Sequence, residues 1–220
     1  MGPKSLETNQ IIEKANLEEP RIGDWVQMYG GGQFFPLDPR ASEINIKDIA
    51  HALGKMCRFN CQCLQFYSVA DHSVRCLRYL YEHKEMCLGL YYRDIVDTHK
   101  WLLMHDVAES LGLGDLPRPI KRMLPEFVKM EEKILSVVAQ KFNLPYPVPE
   151  QIEKIVKKID NIFLMTEKRD IMAGCEHKWG MEDSVIPDNK TIIPYTSQEA
   201  TRSFLEEYYN LFENKTLLYI

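Results

Sequence analysis

Apolar side chains in this chain recur every three or four residues, segment after segment, and nowhere alternate at period two for long enough to build a real sheet. Such spacing gathers apolar residues on one stripe of a helix, and stripes of this kind are buried by packing helix on helix. Ile46, Ile49, Ala50, Leu53 and Met56-Cys57 make the first stripe. Ser68 is a suitable N-cap for a second helix running through Tyr81, because its hydroxyl can accept an amide that the first turn leaves unpaired. A third helix is expected over 92–111, ending in the glycine turn at 112–114, with Pro117 and Pro119 in the loop beyond. Further helices are expected over 125–142, over 150–173 after the prolines at 145–149, and from Ser197 onward. Gly30-Gly31-Gly32 is followed by neither a Gly-Lys-Ser/Thr sequence nor a helix, so it reads as a hairpin or loop turn and not as a phosphate loop. The expected fold class is all-α, a helical bundle.

The chain has 220 residues, enough for one sizeable core, and nothing in it forces a second. Residues 1–20 are polar and read as a flexible arm, leaving 21–220 as a single domain. A net charge of −5 argues against a nucleic-acid polymer as partner, since broad nucleic-acid surfaces concentrate positive charge. It leaves room for a small phosphate ligand, which needs only a few local cations. The apolar runs are too short to cross a bilayer, and the N-terminus has no apolar signal region, so a cytoplasmic location is expected, without a membrane partner. The six cysteines are then expected as reduced thiols. Cys57, Cys61 and Cys63 lie close together but lack a second pair of zinc ligands, and read as small buried apolar side chains.

Several polar residues interrupt the apolar stripes. His72 lies three residues after Val69 and four before Cys76, on the inner face of its helix. His105 and Asp106 follow the apolar Trp101-Leu102-Leu103, and Asp160 falls between Val156 and Phe163 at the edge of another apolar face. Burying a carboxylate there is costly unless a cation compensates it. Adjacent residues on a helix diverge by about 100°, yet both can reach an ion lying between their faces. Imidazole and carboxylate donors on three helices would leave coordination positions open, which suits catalysis better than structure. Glu109 lies three residues after Asp106 and four after His105, hence on the same face, where it could act on water as a general base.

These residues bring a family into view. His72 within FYSVADHSV, the run His105-Asp106-Val107-Ala108-Glu109, the segment GDLPRPIK at 114–121 and the distal Asp160 together resemble the HD-domain phosphohydrolases. Bacterial 5′-deoxynucleotidases and phage-type deoxyadenosine triphosphate triphosphohydrolases are the nearest branches. The upstream stretch FFPLDPR…INIKDIAHALGKMCRF favours the phage-type branch, and the match covers roughly residues 29–173. The resemblance implies an HD-domain helical bundle in which His72, His105, Asp106 and Asp160 hold one divalent ion (zinc, cobalt, manganese, iron, nickel or magnesium), with further ions accompanying a triphosphate. It assigns Glu109 to the hydrolytic water and Asp115 to the sugar or to proton transfer. Arg58 would grip phosphate, Phe59 would pack on the sugar or base, and Lys121 and Lys157 would hold outer phosphates. The implied substrates are deoxynucleotides, dATP and other deoxyadenine nucleotides first, yielding deoxynucleoside plus phosphate or tripolyphosphate in a bacterial or phage-infected cell. The implied assembly is a homo-oligomer. A 5′-deoxynucleotidase acting on monophosphates without strong base preference is the alternative enzyme, and a non-catalytic nucleotide sensor the alternative of another class. Two departures stand out: the 109–115 spacing is one residue longer than the family's, and 60–64 carries two cysteines where relatives favour glycine, histidine and threonine.

Overall fold

Side-chain caps start the helices where the sequence offers them. The computed structural model describes residues 20–213, so the expected arm at 1–20 lies almost wholly outside the described residues. Asn45 accepts the Lys47 amide at 2.9 Å and opens α1, Ile46–Lys55. Ser68 accepts the Asp71 amide at 3.1 Å and opens α2, Val69–Glu82, as the sequence predicts. α3 is Tyr92–Met104, α4 the short turn Arg118–Lys121, α5 Pro125–Phe142, and α6 Glu150–Asp170. α7, Ser197–Phe212, begins in a reciprocal cap: the Thr196 side chain accepts the Glu199 amide while the Glu199 carboxylate accepts the Thr196 amide. Proline opens both α4 and α5, where its missing amide costs nothing.

The only sheet among the described residues is a ribbon of β1, Val26–Gln27, and β2, Gln33–Phe34, antiparallel with Val26 opposite Phe34. It closes over the glycine run as a hairpin, which the sequence allowed as one of two turn readings. Among the described residues seven α-helices therefore carry the fold, an all-α bundle. None is long and apolar enough to cross a membrane.

α2 is the central element, packed against α1, α3, α6 and α7. Val69, Ala70, Val74, Leu77 and Leu80 are fully buried along it. Leu102, Leu103 and Met104 of α3, Ile159 of α6 and Phe204 of α7 complete the same core. The expected helix over 92–111 is corrected: it stops at Met104, and Asp106 takes φ −102°, ψ 10° before a 3-10 turn over Val107–Ser110. The cause is local. The His105 Nδ1–H donates to the Leu102 carbonyl at 2.9 Å, and the chain then leaves helical geometry at the next residue. α6 likewise ends at Asp170, three residues before the expected 173.

α1 and α7 meet at Gly54, where an added Cβ would lie 2.0 Å from Thr201 Oγ1 and 3.1 Å from the Ser197 carbonyl. No side chain fits that gap unless Thr201 or the helix contact itself gives way. Gly54→Ala is expected to lower stability by about 1–3 kcal/mol, the usual cost of overpacking, with partial recovery in Gly54→Ala/Thr201→Ala. Urea unfolding measures both, and an unchanged midpoint for the single variant would refute this close approach.

Candidate metal centre

His72, on the buried face of α2, has its two ring nitrogens in different environments. Nδ1 lies 2.6 Å from the Glu167 carboxylate, so this nitrogen carries the proton and donates it. Nε2 faces the opposite way, 3.3 Å from His105 Nε2, 3.3 Å from Asp160 Oδ1 and 3.8 Å from Asp106 Oδ2. His105 repeats the pattern: its Nδ1–H is committed to the Leu102 carbonyl, and its Nε2 lies 3.3 Å from Asp106 Oδ2. In the neutral tautomers these bonds select, two imidazole lone pairs and two carboxylates converge with no donor among them. Donor atoms of His72, His105 and Asp106 all fall within 4.8 Å of one another, a group that could hold a metal ion. Asp160 stands against the same nitrogen from α6. Three of the four sequence-predicted ligands, His72, His105 and Asp106, thus form this group from α2 and the end of α3, and Asp160 of α6 adjoins it at His72.

Without a cation, such a cluster balances its charge with protons. Burial and Arg58 oppose a charged His72, yet Cys76, Glu167 and Asp160 outweigh them and raise its pKa. Burial also opposes charge on His105, and Asp106 overcomes it. The carboxylates move the other way. Burial disfavours ionised Asp106, but His105, His72 and Arg58 hold it well below the usual range. Asp160 is brought down to about 2 against its burial, chiefly by His72. A bound divalent ion would replace these protons.

Behind the cluster sits a residue that sequence reasoning missed. Glu167 is fully buried and accepts from His72 Nδ1 through one oxygen, while its other oxygen receives Arg58 Nε at 3.2 Å and a terminal Arg58 nitrogen at 3.1 Å. The other terminal nitrogen of Arg58 reaches Asp106 Oδ2 at 3.4 Å. A closed ring results: His72, Glu167, Arg58, Asp106. Its signal in the sequence was position, since Glu167 lies two helical turns beyond Asp160 and on nearly the same face. Arg58, expected on phosphate, thus has one edge of its guanidinium already bonded to Glu167, leaving the edge nearer Asp106. Arg118 was also missed, and it pairs with Asp160 at 2.6 Å.

The remaining expectations fall in different places. Glu109 lies in the 3-10 turn, with one buried carboxylate oxygen that has no hydrogen-bond partner. Burial first, then Asp106 and Asp115, raise its pKa well above the usual carboxylate range. Asp115 accepts the Phe59 backbone amide at 2.8 Å and so helps to hold the 58–61 turn. Phe59, Asn60 and Cys61 all have positive φ (56°, 50° and 65°), a left-handed run without a glycine. Lys121 pairs with Glu131 of α5 at 2.5 Å, and Lys157 lies on the exposed ridge of α6, paired with Glu153 one turn earlier. The expectation of buried cysteines is corrected as well: Cys61 is exposed and Cys57 and Cys63 are half-buried, because this irregular turn lies at the surface.

Glu167→Gln keeps the size of the side chain but removes its charge, weakening its hold on the His72 N–H. We expect it to lower affinity for a divalent ion by about 10–100-fold, the usual effect of losing a group that orients a ligand. Titration with cobalt followed by its absorbance checks this, and unaltered affinity would show that Glu167 only balances Arg58.

Compared with models of known protein families, the chain matches none. It is 32% identical over 190 residues to the uncharacterized protein YfdR of Escherichia coli K12, an alignment covering 86% of this chain and 96% of that protein. It is 29% identical over 169 residues to an uncharacterized protein of Rhodobacter capsulatus, covering 74% of this chain and 82% of the relative. With such likeness along nearly the whole of YfdR, the chain belongs to the same family as that protein.

Proposed function

We propose that this chain is a metal-dependent phosphohydrolase of the HD-domain type acting on deoxynucleotides. The observation that carries the reading is the gathering of His72 Nε2, His105 Nε2 and the Asp106 carboxylate, with Asp160 against His72. Two imidazoles whose outer nitrogens are already bonded, beside two carboxylates, fit a divalent transition metal. When bound, that ion supplies Lewis acidity toward a phosphoryl oxygen and an attacking water.

The chain's own residues account for the rest. Glu109 has a buried oxygen without a hydrogen-bond partner, and burial beside Asp106 and Asp115 raises its affinity for a proton, as suits a group that accepts one from water. It takes the proton as the water oxygen attacks phosphorus, the bond from phosphorus to the 5′ oxygen breaks, and the leaving oxygen takes a proton from solvent, to which Glu109 in turn releases its own. Deoxynucleoside is released with phosphate, or with tripolyphosphate when the substrate is a triphosphate. Arg58 keeps its charge despite burial because Glu167, Asp106 and Asp160 surround it, and its free N–H groups can oppose phosphate charge. Phe59 beside it packs against the sugar, where a 2′-hydroxyl would lose water without gaining a partner. The same geometry suits a 5′-deoxynucleotidase or a triphosphohydrolase, and substrate length decides between them.

Phosphate or tripolyphosphate release is expected from deoxynucleotides in preference to ribonucleotides, with deoxyadenine nucleotides best. A panel of mono- to triphosphates with several divalent metals measures this. Chelation should abolish the activity and metal should restore it; full turnover by verified metal-free protein refutes the reading, and metal binding with no turnover of any nucleotide would point to a sensor.

Glu109→Gln is expected to keep the metal but lower the turnover rate by about 10²–10⁴-fold. His105→Ala should lose both together. Should Glu109→Gln lose metal as well, Glu109 is a ligand and not the base.

A further inference from the structure

Between α6 and α7 the chain runs through residues 171–196 without a helix, a length that usually signals a working loop and not a mere connection. Its second half is strapped down. Arg169 donates to the Asp188 and Lys190 carbonyls, Asp170 accepts the Ile192 amide, and buried Asp71 accepts the Tyr195 amide. The first half is held differently. The Glu182 carboxylate gathers the amides of Trp179, Gly180 and Met181 and pairs with Lys168, the residue following Glu167. The result is a tight turn that displays Trp179.

The indole does not bury itself in the core. Its ring centroid lies 5.8 Å from that of Phe59, the planes tilted by 50°, and the Lys168 ammonium lies 5.4 Å over it. Trp179 stays 36% exposed. The Phe59 ring in turn lies beside the Arg58 guanidinium, 5.3 Å from Cζ to centroid, and Arg58 touches Asp106. A line of groups therefore leads outward from the candidate metal centre: carboxylate, guanidinium, phenyl, indole. A nucleotide presents phosphate, sugar and base in a matching order. The tilt of the two rings makes an open corner, where a planar heterocycle stacked on one ring meets the other at its edge, both favourable contacts between π systems.

Resting on the nucleotide reading above, we propose that Trp179 is a specificity-determining residue that receives the nucleobase, with Phe59 forming the second wall of the corner. Every base offers a π face, so this contact favours a base over none and is tolerant of which base it is. The indole is aimed by Glu182 before any ligand arrives, so little ordering is needed on binding.

The test compares dAMP with 2-deoxyribose 5-phosphate, which has the same phosphate and sugar but no base. Trp179→Ala should raise KM for dAMP by about 10-fold relative to KM for the base-free ester, with a small effect on kcat, whereas Trp179→Phe should retain most of the preference. Calorimetric Kd values for both ligands, measured in a Glu109→Gln background that holds turnover down, should move in the same ratio. If Trp179→Ala weakens both ligands alike, or neither, the proposal is overturned and the turn is structural. Equal affinity of the parent for dAMP and the base-free ester overturns it too. The two readings fail separately: selective loss of dAMP affinity in a protein that hydrolyses no nucleotide refutes the phosphohydrolase and keeps the aromatic corner. Hydrolysis of dAMP with no selective effect of Trp179→Ala does the reverse.

Discussion

One carboxylate, that of Glu167, holds the centre of this molecule in place. It is fully buried, and burial opposes its ionisation, yet Arg58 and His72 keep it charged and its pKa below the usual value. Each of the three is affordable inside the protein only because of the others. A buried ion pair of this kind contributes little net stability, but removing one member leaves a charge without a partner, typically at a cost of about 3–5 kcal/mol. The arrangement therefore acts as a constraint. It sets the α6 register against α2, fixes which nitrogen of His72 bears the proton, and draws the turn after α1 onto the candidate metal centre.

That turn is where local preference yields to tertiary structure. Three successive residues without glycine occupy the left-handed region, a conformation disfavoured by about 1–2 kcal/mol per residue, and less for Asn60. Hydrogen bonds from both sides hold it: Arg58 N–H to the Tyr67 carbonyl, Phe59 N–H to Asp115, and Leu64 N–H to the Ile171 carbonyl. Strain of this sort persists where the surroundings over-determine the backbone, and it clusters at sites that must aim a side chain. Here it aims Phe59.

The sequence made the helices legible because capping residues and apolar spacing are local signals; Ser68 and the stripe of α2 are examples. The four candidate ligands were legible for a related reason, since a polar residue on an apolar stripe stands out against its neighbours. What stayed hidden depends on distant partners. Glu167 reads as an ordinary helix-face glutamate until Arg58, 109 residues away, is placed against it. That Asp115 accepts the Phe59 amide was equally hidden, because no glycine announces the turn at 59–61. Lys121 reads as a phosphate cation in its motif, while Glu131, which pairs with it, comes from the next helix. The break in α3 at Asp106 was invisible because His105 and its neighbours are all compatible with a helix; a side chain capturing the carbonyl of Leu102, three residues back, decided the matter.

The candidate ligands come from segments far apart along the chain, with α2, the end of α3 and α6 each contributing. Any cation held there is also a cross-link. It closes two long loops of the polypeptide at one point, and it does so reversibly, at the junction of the three helices that enclose the core. Since only the folded chain presents all the donors together, its binding free energy adds to the free energy of folding. Occupancy of the centre and rigidity of the bundle then rise and fall as one quantity, so that a cell short of the right ion would meet a softer protein as well as an emptier site.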